Sequence, residues 1–147
     1  MLWVLFLVAF ACGENAPVVP APAATITLTY TGCAADGLGA LLPEHFTATL
    51  VNKTSTEARF NLQRMNDGHA FGELEVHIAE QQRRFIADIE QMNPPSFTSI
   101  VSSTSVDPQQ SHSLQLTLLS GTYGIVCRGV QRPTIWSAYV LGPYRVP

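Results

Sequence analysis

The chain has 147 residues, of which 46% are apolar and 13% charged, and its formal net charge is −3. Length and composition describe one domain with enough apolar residues for a core of its own, without dense disulfide stapling. With 8 Lys and Arg against 11 Asp and Glu, and no basic stripe, a nucleic-acid partner is excluded.

Residues 1–11, MLWVLFLVAFA, are wholly apolar. A membrane-spanning helix needs about 20 such residues, so this stretch predicts the apolar region of a secretory signal peptide. Ala9-Phe10-Ala11 fits the small-x-small pattern of a cleavage site, and Cys12 follows at once. Cleavage directly before a cysteine resembles the lipobox of exported bacterial lipoproteins and makes Cys12 the expected lipid-attachment residue. Ordinary secretion and a buried N-terminal strand are the other readings of these residues. The next stretch, GENAPVVPAPAAT, carries three prolines and predicts an extended tether of about 3 Å per residue; a plain disordered terminus is its alternative. The expected organisation is a signal peptide over 1–11, the lipid-attachment cysteine and tether over 12–24, and one folded domain over 25–147. The implied partner is a membrane reached through the anchor. The implied location is the cell envelope, on the outer face of a bacterial membrane, or outside the cell if Cys12 is not lipidated.

From Thr25 the apolar residues alternate. "TITLTYT" puts Ile26, Leu28 and Tyr30 on one face, "HFTATLVN" does so with Phe46, Ala48 and Leu50, and "EARFNLQR" with Ala58, Phe60 and Leu62. Alternation of this kind predicts strands with one buried face. Turn-forming stretches such as "ADGLGALLPE" and "NKTST" separate them. One segment then changes period. Phe71, Leu74, Ile78, Phe85, Ile89 and Met92 recur at helical spacing, and Asn93-Pro94-Pro95 stops the helix. Ala70 is a poor cap for its start. Beyond it, "SLQLTLL" with Leu114, Leu116 and Leu118, and "TYGIVC" with Tyr123, Ile125 and Cys127, return to strand spacing. The layout is three strands, a helix and about four strands, which suits a β-sandwich.

Three cysteines bear on chemistry. With Cys12 acylated, an exported chain is left with Cys33 and Cys127, which favours a disulfide between them; two buried free thiols are the alternative. A catalytic Cys127 needs a lowered pKa and partial exposure, and a core-facing strand position opposes both. There is no G-x-S-x-G elbow, no H-E-x-x-H and no Gly-rich phosphate loop, so no catalytic residue is assigned and no enzyme activity is expected. His69 and His77 are eight apart, too far to chelate one ion from a regular helix. His45 and His112 fall at strand starts.

The stretches "TATLVNKTSTEARFNLQRMNDGH", the helix after it, the return through "NPPSF" and the late "SGTYGIVC" together resemble the cupredoxin-like (plastocyanin-related) proteins, in particular small exported lipoproteins of that group. The resemblance implies a mainly β fold: a cupredoxin-like Greek-key β-sandwich with one inserted α-helix. Copper-binding members follow the late Cys with a His and usually a Met. Here "CRGVQRPTIWSAYVLG" has neither, so only Cys127 matches a ligand position, and no metal and no cofactor are expected. A blue-copper site needs two imidazoles besides the thiolate. The loop that would hold metal in the family maps to Arg128–Ala138. Its Arg128, Arg132 and Trp136, with Tyr139 just beyond, are of residue types enriched at binding hot spots. Two readings stand: this end recognises an unknown protein or small ligand, or Trp136 simply closes the core. The expected function is a non-catalytic binding or structural module of the cell envelope. A copper-binding electron-transfer or copper-handling protein is the competing class.

Overall fold

The structure is a computed structural model and describes residues 22–84, 94–131 and 134–147. The proposed signal peptide, Cys12 and most of the tether lie outside the described residues. So do Phe85, Ile89 and Met92, the far half of the expected helix.

Eight strands and one helix follow in order: β1 (Ala23–Leu28), β2 (Cys33–Asp36), β3 (His45–Asn52), β4 (Glu57–Met65), α1 (Phe71–Arg84), β5 (Thr98–Val106), β6 (Ser111–Thr117), β7 (Gly121–Gln131) and β8 (Thr134–Val146). They form two four-stranded sheets, β2-β1-β3-β6 and β5-β4-β7-β8. β1 runs parallel to β3, and the other pairings are antiparallel. The mainly β sandwich with one helix, expected from the cupredoxin-like resemblance, is the architecture found.

The alternating residues fill the space between the sheets. Ile26, Leu28, Phe46, Ala48, Leu50, Ala58, Phe60, Leu62, Tyr123, Ile125 and Cys127 belong to one buried cluster. Each large member contributes about 1.5–3 kcal/mol relative to exposure. Tyr123 is buried with its hydroxyl satisfied, donating to the Leu119 carbonyl at 2.6 Å.

Three expectations need correction. The first strand starts at Ala23, two residues ahead of Thr25: β1 pairs with β3 from Ala23↔Thr47 onward and Ala24 is buried. Among the described residues, four strands precede the helix where three were expected. The additional one, β2, reads "CAAD" and lacks β-branched or aromatic residues; pairing with β1 holds it extended. Tyr30 does not continue the buried face. β1 stops at Leu28, the Thr29 amide bonds the Gly32 carbonyl across a turn at 2.9 Å, and Tyr30 is 55% exposed.

The helix covers the back of the second sheet, against β8 and β7. Leu74 and Ile78 join Met65, Val126 and Ala138 in a second buried cluster, with Phe71, Phe97 and Val140 at its margin. Gly124 permits this close approach: a Cβ there would lie 2.7 Å from Leu74 Cδ2 and 2.9 Å from Phe71 Cε2. The weak Ala70 start is compensated by Glu73. Its Oε1 accepts the Ala70 amide at 3.0 Å and its Oε2 lies 3.0 Å from His69 Nδ1. This is the acidic half of a capping box, working without the usual Ser or Thr. The Ala70 amide first, and His69 second, hold the Glu73 carboxyl below its ordinary pKa.

At the end where β3 meets β4, Asn52 is buried and ties two turns together. Its Nδ2 donates to the carbonyls of Thr56 at 2.7 Å and Val106 at 3.0 Å, and its Oδ1 accepts from the amide and the hydroxyl of buried Thr54. A fully bonded buried amide of this kind fixes geometry, since leaving any of its groups unpaired costs about 1–3 kcal/mol.

Candidate functional site

Cys127 lies on β7 between Phe60 of β4 and Tyr139 of β8, and its side chain turns into the inter-sheet core with 0% exposure. Cys33 opens β2 in the opposite sheet. The two sulfurs are bonded, with Cα atoms 6.3 Å apart, a separation a disulfide can span. The expected Cys33–Cys127 bridge is therefore present, and it joins the edge of one sheet to the interior of the other.

The copper implied by the resemblance does not fit this donor set. A disulfide sulfur has no thiolate to offer, and the histidines are elsewhere. His45 bonds Thr117 Oγ1 at 3.1 Å on the outside of the first sheet. His112 is exposed on edge strand β6. His69 pairs with Glu73, and His77 lies beside Gln81 at 2.8 Å with its ring edge-on to Phe97. Burial first, then the nearby Arg128 charge, lowers the His77 pKa. Among the described residues no three His, Cys, Asp or Glu side chains are grouped to share a metal ion.

The described residues of the Arg128–Ala138 stretch are strand rather than loop. β7 runs on to Gln131 and β8 resumes at Thr134, paired through Gly129↔Ser137 and Val130↔Ile135. Arg128 faces the helix with 1% exposure, so it is no part of a recognition surface. One Nη donates to Gln81 Oε1 at 3.2 Å. The other reaches the Asn61 side-chain oxygen at 3.0 Å, in the amide orientation that also satisfies the Phe60 carbonyl and Ser103. Nε has no partner. Burial, and then the Arg59 charge, push its pKa down to about 10, which leaves it protonated at neutral pH. Arg132 lies outside the described residues.

Trp136 and Tyr139 do come together with a residue the sequence had misplaced. The Trp136 indole covers Gly129, where any side chain would collide with the ring. Its Nε1 donates to Thr56 Oγ1 at 2.7 Å, and its ring lies 5.5 Å from that of Tyr30. The Tyr30 hydroxyl bonds Ser55 Oγ at 2.6 Å and accepts the Ser55 amide at 2.7 Å. Tyr139 reaches the Tyr30 carbonyl at 3.5 Å. The result is a half-exposed aromatic pole fixed by polar bonds. The turn residues in "YTGC" were the signal that could have freed Tyr30 from the core face.

A cleft of about 270 Å³ opens beside this pole, between the helix, β8 and the Thr31–Cys33 turn. Ile78, Val140 and Leu141 supply apolar wall, Tyr139 joins it to the pole, and Glu75 and Gln82 supply polar groups.

No protein-family model matches the chain, and no curated protein matches it. Among solved structures it is similar to the dithionite-reduced auracyanin of the photosynthetic bacterium Roseiflexus castenholzii, at 15% identity and a TM-score of 0.47, over 88% of this chain and 99% of that one. It is similar to auracyanin A, a "blue" copper protein of Chloroflexus aurantiacus, at 13% identity and a TM-score of 0.46, over 85% and 98% of the two chains. For auracyanin B the identity is 18% and the TM-score 0.41, over 78% and 84%.

Proposed function

We propose that this protein is an exported, lipid-anchored binding module that works without copper and without catalysis. The Cys33–Cys127 bridge carries the reading: the cysteine that matches a copper-ligand position is consumed as a crosslink. The recognition surface is the Tyr30, Trp136 and Tyr139 pole with the adjoining cleft. Rigid aromatic side chains there offer contact area at low entropic cost, and the cleft suits a small ligand or an inserted side chain of a protein partner. The anchor is Cys12, and the Pro-rich tether lifts the sandwich off the membrane. Stable attachment needs more than one acyl chain.

Copper titration of the unreduced protein, followed by visible absorption, tests the copper-free part. No thiolate-to-copper band is expected. A strong band that disappears in Cys127→Ala would restore the copper-handling class. Intact mass of the mature protein tests the anchor: an acylated Cys12 is expected, and an N-terminus at Gly13 or an uncleaved, unmodified chain would reject it.

A further inference from the structure

Two kinds of contact hold α1 to the second sheet. Leu74 and Ile78 pack it over β7 and β8. Its last turn adds a polar link, in which Gln81 Oε1 accepts from an Nη of buried Arg128 at 3.2 Å. The same Gln81 amide reaches back one turn along the helix, with Nε2 2.8 Å from His77 Nε2. The donor and acceptor roles in this chain are forced. A guanidinium only donates, so the Gln81 oxygen faces Arg128 and the Gln81 nitrogen faces His77. His77 Nε2 is then the acceptor, and the ring is neutral with its proton on Nδ1.

A second proton on His77 contradicts this arrangement. An imidazolium donates from both nitrogens, so donor would meet donor at Gln81 Nε2. Turning the amide over repairs that contact and sets the Gln81 nitrogen against Arg128 instead. In this geometry Gln81 accepts from Arg128 or from a charged His77, not from both. Arg128 has few bonds to spare, since its Nε has no partner and Asn61 supplies its other bond.

The charged groups around His77 act in the same sense, with one exception. Arg128 of β7 opposes a proton there, and Glu80 of the same helix favours it. Arg59 of β4 adds to the positive charge at Arg128. Phe97 turns its ring to His77, with His69 across it and bonded to Glu73. β8 contributes Ala138 and Val140 beneath the helix, and neither titrates.

We propose that His77, Gln81 and Arg128 form a proton-operated latch, which fastens the end of α1 to β7 while His77 is neutral and releases it when His77 is charged. Closure keeps the His77 pKa below its ordinary 6.5 through burial and the Arg128 charge. Release removes both, so the open form binds the proton more tightly. Opening sets in as pH falls below that ordinary value. The latch has a site to control, because Ile78, Ala79 and Gln82 of the same turns form one wall of the cleft. Acid release of a ligand from the cleft is the consequence, and that step rests on the cleft being the recognition surface.

Amide hydrogen exchange of the full chain in mild detergent, referred at each pH to the rates of an unstructured peptide, tests the latch with no ligand present. Protection from His77 to Gln82 should fall at least about fivefold between about pH 7 and about pH 5, while β3 in the other sheet keeps its protection. His77→Gln places a side chain that does not titrate and should hold helix protection constant over this range. Gln81→Glu offers carboxylate oxygens that accept from Arg128 and from a charged His77 together. Acid should then leave the helix closed, and an NMR titration should place the His77 pKa above that of the parent chain. Helix protection that does not change with pH in the parent chain overturns the proposal. An equal fall in His77→Gln does so too, as does a His77 pKa in Gln81→Glu no higher than the parent's. None of these readouts needs a bound ligand, so a failed latch and a cleft that binds nothing are told apart.

Discussion

β3 and β7 sit near the middle of their respective sheets, yet they read differently. In β3 every second residue is buried, and the others are partly or well exposed. In β7 eight consecutive residues, from Tyr123 to Val130, are buried. The cause is what lies behind each sheet. The first sheet has no helix packed on its outer face among the described residues, whereas α1 covers the back of β7 and β8. Alternation is a signature of one wet face, and it disappears once a helix covers the second face. The consequence is chemical as well as geometric. The second face was free to accept Gln63 and Arg128, both buried, where the inter-sheet core is apolar apart from the disulfide, the Tyr123 hydroxyl and the bonded Asn52–Thr54 pair at one end.

The contrast between a crosslinked apolar core and a helix-covered polar one can be tested by substitution. The largest effect is expected from Cys33→Ala. The bridge spans a sequence separation of 94, and the chain-entropy model assigns such a loop about 4–5 kcal/mol. Urea denaturation should show that loss, and a loss under about 1 kcal/mol would mean the two sheets hold together without the crosslink. Next come Leu50→Ala in β3 and Leu74→Ala under the helix, exposed by 4% and 0%. Each should lose about 2–5 kcal/mol. Near equality makes the helix layer a full second core, while a much smaller loss for Leu74 would make it peripheral.

Arg128→Met should have a smaller effect of opposite sign. Its guanidinium is desolvated and bonded to neutral amides, so a hydrophobe of similar length should leave stability unchanged or raise it by up to about 2 kcal/mol. A large loss would show that the bonds to Gln81 and Asn61 outweigh desolvation. The smallest effect belongs to His77. Its folded pKa lies below the ordinary 6.5, so the unfolded chain takes up the proton first. Stability from this group is present above that ordinary value and declines as pH falls below it, toward the lowered folded pKa. Melting temperature followed through that window should fall less in His77→Gln than in the parent chain.

The residues explain what could be read in advance. Ile26, Phe46, Leu50 and Phe60 alternate beside turn signals, and all are core. Leu74 and Ile78 keep helical spacing and do face the sheet. The Cys33–Cys127 bridge followed from export and from counting cysteines. Arg128 did not follow, because the resemblance maps the metal-holding loop of the family onto Arg128–Ala138, and only the helix packed over β7 shows that this residue is buried strand. β2 was missed because "CAAD" has little strand preference of its own and is held by its partner. The pole escaped for a related reason. Tyr30, Ser55, Thr56 and Trp136 come from three separated stretches, and only the fold brings them into bonding distance.

The buried Asn52 has a practical consequence for producing this protein. Asn52-Lys53-Thr54 matches the acceptor triplet for N-linked oligosaccharides. The nitrogen that would carry the sugar is the one that holds Thr56 and Val106 together, at a position 1% exposed. In a eukaryotic secretory host, only molecules that escape glycosylation should reach the native state. Asn52→Gln would not be a harmless remedy, because the longer side chain disturbs the same set of bonds.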